Sequence, residues 1–188
     1  MAQQGVQVSE ERASWVPMVV IGMAQALMSF NVAAIPVSMA GMVESFNTPP
    51  TTVGTAIVMY SLGVSGFVML GAKLGQRFGV KRVFQTVVAM FAAAVGAVAL
   101  SPTATIMVAA QALCGLAAAA LVPCLVALIA DHYRGKQQAQ AVGWLGAARA
   151  IAGVLAFLIV GTIATFVSWR LAFGLLVVHA LAILVLSF

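Results

Sequence analysis

Twelve residues in an otherwise apolar chain, Gly71-Ala72-Lys73-Leu74-Gly75-Gln76-Arg77-Phe78-Gly79-Val80-Lys81-Arg82, hold four of its nine lysines and arginines. Long apolar runs flank them on both sides. Lys or Arg at the centre of a spanning helix costs about 2.5–3.5 kcal/mol on insertion scales. A segment this basic therefore stays outside the hydrocarbon and orients the helices that adjoin it. Of the 188 residues, 63% are hydrophobic and 7% charged, with mean hydropathy +1.12. Soluble domains carry about 25% charged residues, so this composition points to lipid as the solvent. The net charge of +5 is not a nucleic-acid footprint, because the cations cluster between apolar runs.

A spanning helix needs about 20 mostly apolar residues. Six runs qualify: 17–43, 53–72, 83–100, 105–130, 139–167 and 171–188. The expected fold class is an all-α membrane protein, with residues 1–16 as a polar tail carrying Glu10, Glu11 and Arg12. The first run is longer than the 7–15-residue core typical of a signal peptide and lacks a convincing cleavage site, so it reads as a retained helix. Turns are expected at Asn47 with Pro49-Pro50, at the basic loop, at Ser101-Pro102, in the polar segment 131–138, and at Ser168-Trp169-Arg170. With the N-terminus inside, cytoplasmic segments hold Arg12, Lys73, Arg77, Lys81, Arg82, Arg134 and Lys136, and the outer turns hold only Arg170. That asymmetry predicts a multi-pass protein of the plasma (inner) membrane with a cytoplasmic N-terminus. The last run barely spans, which reads as a fragment or as a chain whose remainder lies elsewhere.

The ionisable residues narrow the chemistry. The acids are Glu10, Glu11, Glu44 and Asp131, and all fall in the tail or at the rims of the expected spans. No carboxylate relay is placed mid-membrane. Arg149 and His179 are the ionisable groups inside helices. Arg149 shares a helical face with Gly146, Ala150 and Gly153. It is read either as a cavity residue that grips an anionic group or as a side chain snorkelling to the inner interface beside Trp144. Cys114 and Cys124 lie ten residues apart in one expected helix, about 15 Å along its axis, which is beyond disulfide reach. No metal cluster, nucleophile–base pair or phosphate-cradling loop is present. The sequence thus calls for no cofactor and gives an enzyme reading no support. Small residues crowd the second, fourth and fifth runs, as expected for tightly packed membrane helices.

Six spans, a basic loop after the second and a shorter polar loop after the fourth resemble the N-terminal half of a Major Facilitator Superfamily transporter, closest in flavour to the drug:proton antiporters. The family's signature between helices 2 and 3 is Gly-x-Leu-Ala-Asp-Arg-x-Gly-Arg-Lys. Leu74, Arg77, Gly79 and Lys81 match it in register, whereas Ala72, Gln76 and Val80 replace its first Gly, its Asp and its second Arg. The resemblance implies a gating role for this segment against a second six-helix half. Gln76 can hydrogen-bond there but cannot anchor an ion pair. In the helix 4 signature, Gln111 stands for the Arg and Cys114 for the Gln. Of the antiporter signature in helix 5 only Gly161 survives, and Leu27 stands where helix 1 of many-helix exporters carries an Asp.

Because helices 1 and 4 line the cavity in that family, the resemblance makes Gln25, Ser29 and Gln111 substrate contacts alongside Arg149. Interhelical hydrogen bonds are the competing reading for the three polar residues. His179 reads as a packing histidine or, alternatively, a proton-handling one. The implied function is alternating-access transport of a small, partly hydrophobic solute. The implied partner is a second six-helix half, supplied by further sequence or by a second copy. The rival expectation is a non-transporting scaffold or sensing module, since most coupling charges have become neutral.

Overall fold

The computed structural model describes residues 13–187 and contains six α-helices in the order α1 (Val16–Phe46), α2 (Pro50–Phe78), α3 (Val80–Ala99), α4 (Ala104–His132), α5 (Gly135–Phe166) and α6 (Trp169–Leu186). All six are long and apolar enough to cross a membrane, so the chain is a multi-pass membrane protein. Glu10, Glu11 and Arg12 of the expected tail lie outside the described residues.

Every helix starts before the apolar run that announces it, α1, α2 and α4 also end beyond theirs, and most connections are shorter than expected. The basic segment is not a loop. α2 continues through Phe78, Gly79 alone is non-helical, and α3 starts at Val80. Ala72, Lys73, Leu74, Gln76 and Arg77 are all good helix formers, and leaving the hydrocarbon does not oblige a helix to stop. The stop comes from Gly79, whose φ of 88° and ψ of 130° suit a residue without a Cβ. The polar segment 131–138 likewise shrinks to Tyr133 and Arg134 between α4 and α5. Trp169 and Arg170 open α6 rather than forming a turn, with Ser168 capping the Arg170 N–H at 3.1 Å. α1 ends at Asn47 in the left-handed region (φ 47°), and Pro50 begins α2.

α1 and α4 stand together at the centre. α2 packs along α4 and α5 along α1, while α3 lies behind α4 and α6 behind α1, with α3 and α6 touching. Exchanging α1 with α4, α2 with α5 and α3 with α6 leaves this list of neighbours unchanged. The bundle is therefore two three-helix repeats. An odd number of spans per repeat gives the second the opposite orientation, the inverted repeat of transporter folds. Each repeat carries a proline inside its first helix, Pro36 in α1 and Pro123 in α4.

Helices in lipid gain no hydrophobic drive towards one another, so contact area and polar links hold them together. The α2–α4 seam uses glycine for this. A Cβ on Gly63 would lie 3.0 Å from the Gly115 backbone, one on Gly71 would lie 2.7 Å from the Ala119 carbonyl oxygen, and one on Gly115 would run into the Tyr60 carbonyl. Pro123 has no N–H to offer Ala119 four residues back, so Gly71 meets α4 where a carbonyl is left over. At mid-bundle the Asn31 and Gln111 amides form a reciprocal pair between α1 and α4, at 3.2 and 3.4 Å, and both residues are buried.

The two ends are tied differently. At one, the Trp169 indole donates to Ser45 Oγ at 2.9 Å, and Arg170 Nη1 donates to the Ala99 carbonyl at 2.8 Å, with its guanidinium 4.3 Å from the Trp169 ring centre. At the other, Gln137 exchanges hydrogen bonds with the Ala13 backbone at 2.7 and 3.1 Å, Tyr133 Oη donates to the Ser14 carbonyl, and Trp15 stacks on Tyr133. Burial raises the Tyr133 phenol above its ordinary pKa, which keeps it a neutral donor.

Gly115→Ala is expected to cost about 1–3 kcal/mol through overpacking and to lower the melting temperature in detergent. Gly146→Ala, with nothing within 4 Å of the added Cβ, should leave it in place. A double-mutant cycle of Asn31→Ala with Gln111→Ala should return a coupling of about 0.6–1.7 kcal/mol. Additive losses would mean the two amides act independently.

Candidate substrate face

Burial is unevenly shared among the helices. In α1, α3 and α4, 56–61% of the apolar window is buried, against 17% in α2 and in α5. These two least buried helices flank the central pair, with α2 beside α4 and α5 beside α1. α5 owes its openness to its place at the side of the bundle, where it packs along α1 and has few other neighbours. Phe157, Leu158 and Ile159 are exposed in succession.

Arg149 lies on this open helix, fourteen residues into a helix of 32, about 21 Å from its start at 1.5 Å per residue. Its side chain is exposed in a shallow depression of about 440 Å³ formed with Gly146, Ala150, Gly153, Val154 and Phe157. The glycines and alanine keep the floor low, so the guanidinium stands clear of its own helix. On α2, Tyr60 is half-buried against the core, and its backbone meets Gly115 of α4. Tyr60 is a polar group that sequence reasoning did not single out. A lone phenol in an apolar run is the signal that could have found it.

The other residues singled out from sequence fall in several places. Gln25 and Ser29 are half-buried on α1, where the Ser29 hydroxyl donates to the Gln25 backbone carbonyl at 3.2 Å. Gln111 is buried with its amide engaged by Asn31, so a solute would reach it only by displacing that partner. Leu27, at the position of the exporters' Asp, is fully buried in the core. His179 Nε2 lies 2.9 Å from the Met23 carbonyl of α1, and its ring tilts against Phe30. The carbonyl can only accept, so Nε2 carries the proton and the histidine links α6 to α1.

Residues of the basic segment face two different spaces. Leu74 packs against the core, and Gln76 lines a groove between α2 and α4 with Gly71, Gly75, Pro123 and Cys124. Arg77 is exposed with its guanidinium 5.4 Å from the Phe78 ring centre. Gly79 makes the turn, and Lys81 borders a separate pocket between α1, α3, α4 and α6. Gly161 sits 3.8 Å from Val37 of α1 by its would-be Cβ, an ordinary contact that an alanine also tolerates. Cys114 and Cys124 are both buried free thiols.

Comparison with known proteins agrees with this arrangement. The chain is 27% identical over 165 residues to a lincomycin resistance protein of Streptomyces lincolnensis, covering 88% of this chain and 34% of that protein. It is 26% identical to the cephamycin export protein CmcT of Amycolatopsis lactamdurans, over 77% of this chain and 30% of the relative. The chain thus spans about a third of the length of these relatives. Crystal structures of the peptide transporter POT superpose with a TM-score of 0.80 at 18% identity, for the complexes with alafosfalin (90% of this chain, 37% of that one) and with sulfate (91% and 37%). A likeness at that identity shows the fold. The sequence profile of the Major Facilitator Superfamily matches residues 21–188, and the chain belongs to that superfamily.

Proposed function

We propose that this chain is one six-helix half of an exporter that moves a small, partly hydrophobic solute by alternating access. A second six-helix half, from further sequence or from another copy, supplies the opposite wall. The observation that carries this reading is the pairing of two poorly buried helices, α2 and α5, on either side of α1 and α4, with Arg149 exposed on one of them. An exposed guanidinium in mid-helix is costly against lipid and useful in a solvated passage, where it binds a carboxylate or phosphate bidentately. In this role Arg149 contacts the solute's anionic group, and Gln25 and Ser29 contribute from α1. The antibiotic export and resistance functions named for its relatives support a drug-like solute.

In the proposed topology the N-terminus and the basic segment face the cytoplasm, across the plasma membrane. Leu74, Gln76, Arg77, Gly79, Lys81 and Gly161 would take part in gating, with Gln76 meeting the second half through a hydrogen bond where relatives of the signature type use a charge. His179 would stay a helix link rather than a proton carrier, because its Nε2–H is committed to Met23. One observation favours the rival reading of a non-transporting scaffold or sensor: Gln111 and Asn31 close on each other at the centre.

Flux of a labelled anionic drug through proteoliposomes that hold this chain together with its second six-helix half, joined in one chain or as a second copy, separates the two readings. Transport is expected, and binding without flux would support the scaffold. Arg149→Ala should reduce that flux about tenfold or more at unchanged expression, and undiminished flux removes Arg149 from the passage. For topology, Arg82→Cys in intact cells should resist a membrane-impermeant maleimide until the cells are opened. Labelling from outside would reverse the orientation.

A further inference from the structure

We propose that the pocket between the ends of α1, α3, α4 and α6 binds an anionic phospholipid, with the headgroup phosphate at Lys81, a headgroup hydroxyl at His132 and the start of an acyl chain against the apolar wall. The pocket encloses about 270 Å³ and is open to the surface. Val20, Phe84, Leu128 and Leu186 build its apolar side, and Lys81 and His132 stand on its border. A lysine beside an apolar lining suits an amphiphile. A free inorganic anion would have no use for the apolar wall.

Two features give the polar end its sign, and His132 adds an acceptor beside it. No carboxylate lines the pocket among the described residues. His132 Nδ1 lies 2.8 Å from the Leu128 carbonyl, which can only accept, so Nδ1 holds a proton and Nε2 of the neutral ring is an acceptor, suited to a headgroup hydroxyl rather than to the phosphate. Lys81 sits in the first turn of α3, whose N-cap Gly79 offers no side-chain cap and whose first turn has no acid. The positive end of that helix therefore adds to the lysine. Basic pockets between spanning helices near the membrane surface suit anionic headgroups. Assigning the lipid to the cytoplasmic leaflet rests on the topology proposed above, whereas the pocket itself does not.

Native mass spectrometry of the delipidated full-length chain, offered phosphatidylglycerol and phosphatidylcholine of matched chains, tests this. Wild type should retain phosphatidylglycerol about fivefold better. Lys81→Gln should abolish the preference, Val20→Trp should do so by filling the pocket, and Lys136→Gln, outside it, should keep it. His132→Asn serves as the independent check should Lys81→Gln misfold, and it should weaken the preference. Equal retention of the two lipids by wild type overturns the proposal. So does an effect of Lys136→Gln as large as that of Lys81→Gln, which would mean diffuse surface attraction. Retention that appears only after residues 1–12 are removed overturns it in favour of the tail as occupant. The readout in detergent is independent of orientation, so a failed lipid preference leaves the topology standing, and outside labelling of Arg82→Cys leaves the pocket standing.

Discussion

The backbone contact between α2 and α4 is what the rest of the bundle depends on. In water, apolar faces would collapse together and small residues would weaken the association. In lipid the surrounding chains are as apolar as the helices, and only close approach adds attraction. Gly63, Gly71 and Gly115 allow that approach. They hold α2 to α4 while the opposite side of α2 remains uncovered. A helix can therefore be firmly placed and largely exposed at once, which a soluble fold rarely permits.

The repeat organisation gives this seam a counterpart. α5 packs along α1 as α2 packs along α4, and each central helix carries a proline. The two versions are not equally tight. Gly71 meets α4 near the carbonyl freed by Pro123 with no room for a methyl group, whereas Gly161 meets α1 beside Val37 at ordinary distance. The α2–α4 half is thus fixed by backbone contact, and the α1–α5 half meets at Gly161 through ordinary side-chain contact. The second pairing is the one that bears Arg149.

The number, order and class of the helices were legible from sequence because a bilayer imposes one length and one polarity on every span. Helix ends were less legible. Hydropathy marks where hydrocarbon ends, while the backbone continues until a residue such as Gly79 or Asn47 turns it, so the basic segment read as a loop though it is almost wholly helical. The face bearing Arg149 was legible from the spacing of Gly146, Ala150 and Gly153. The closure of Gln111 by Asn31 was not, because two amides eighty residues apart carry no periodic signal of their partnership. The same holds for His179, whose acceptor is a backbone carbonyl and leaves no trace in residue type.

The single-residue link at Gly79 has a mechanical consequence. With one residue between them, α2 and α3 cannot slide past each other along the membrane normal, since any offset would have to be taken up by one pair of backbone angles. They can only rock or splay as a hairpin. Lys73 and Arg77 on one arm and Lys81 and Arg82 on the other then ride as fixed charges on a lever, and their height above the membrane reports its tilt.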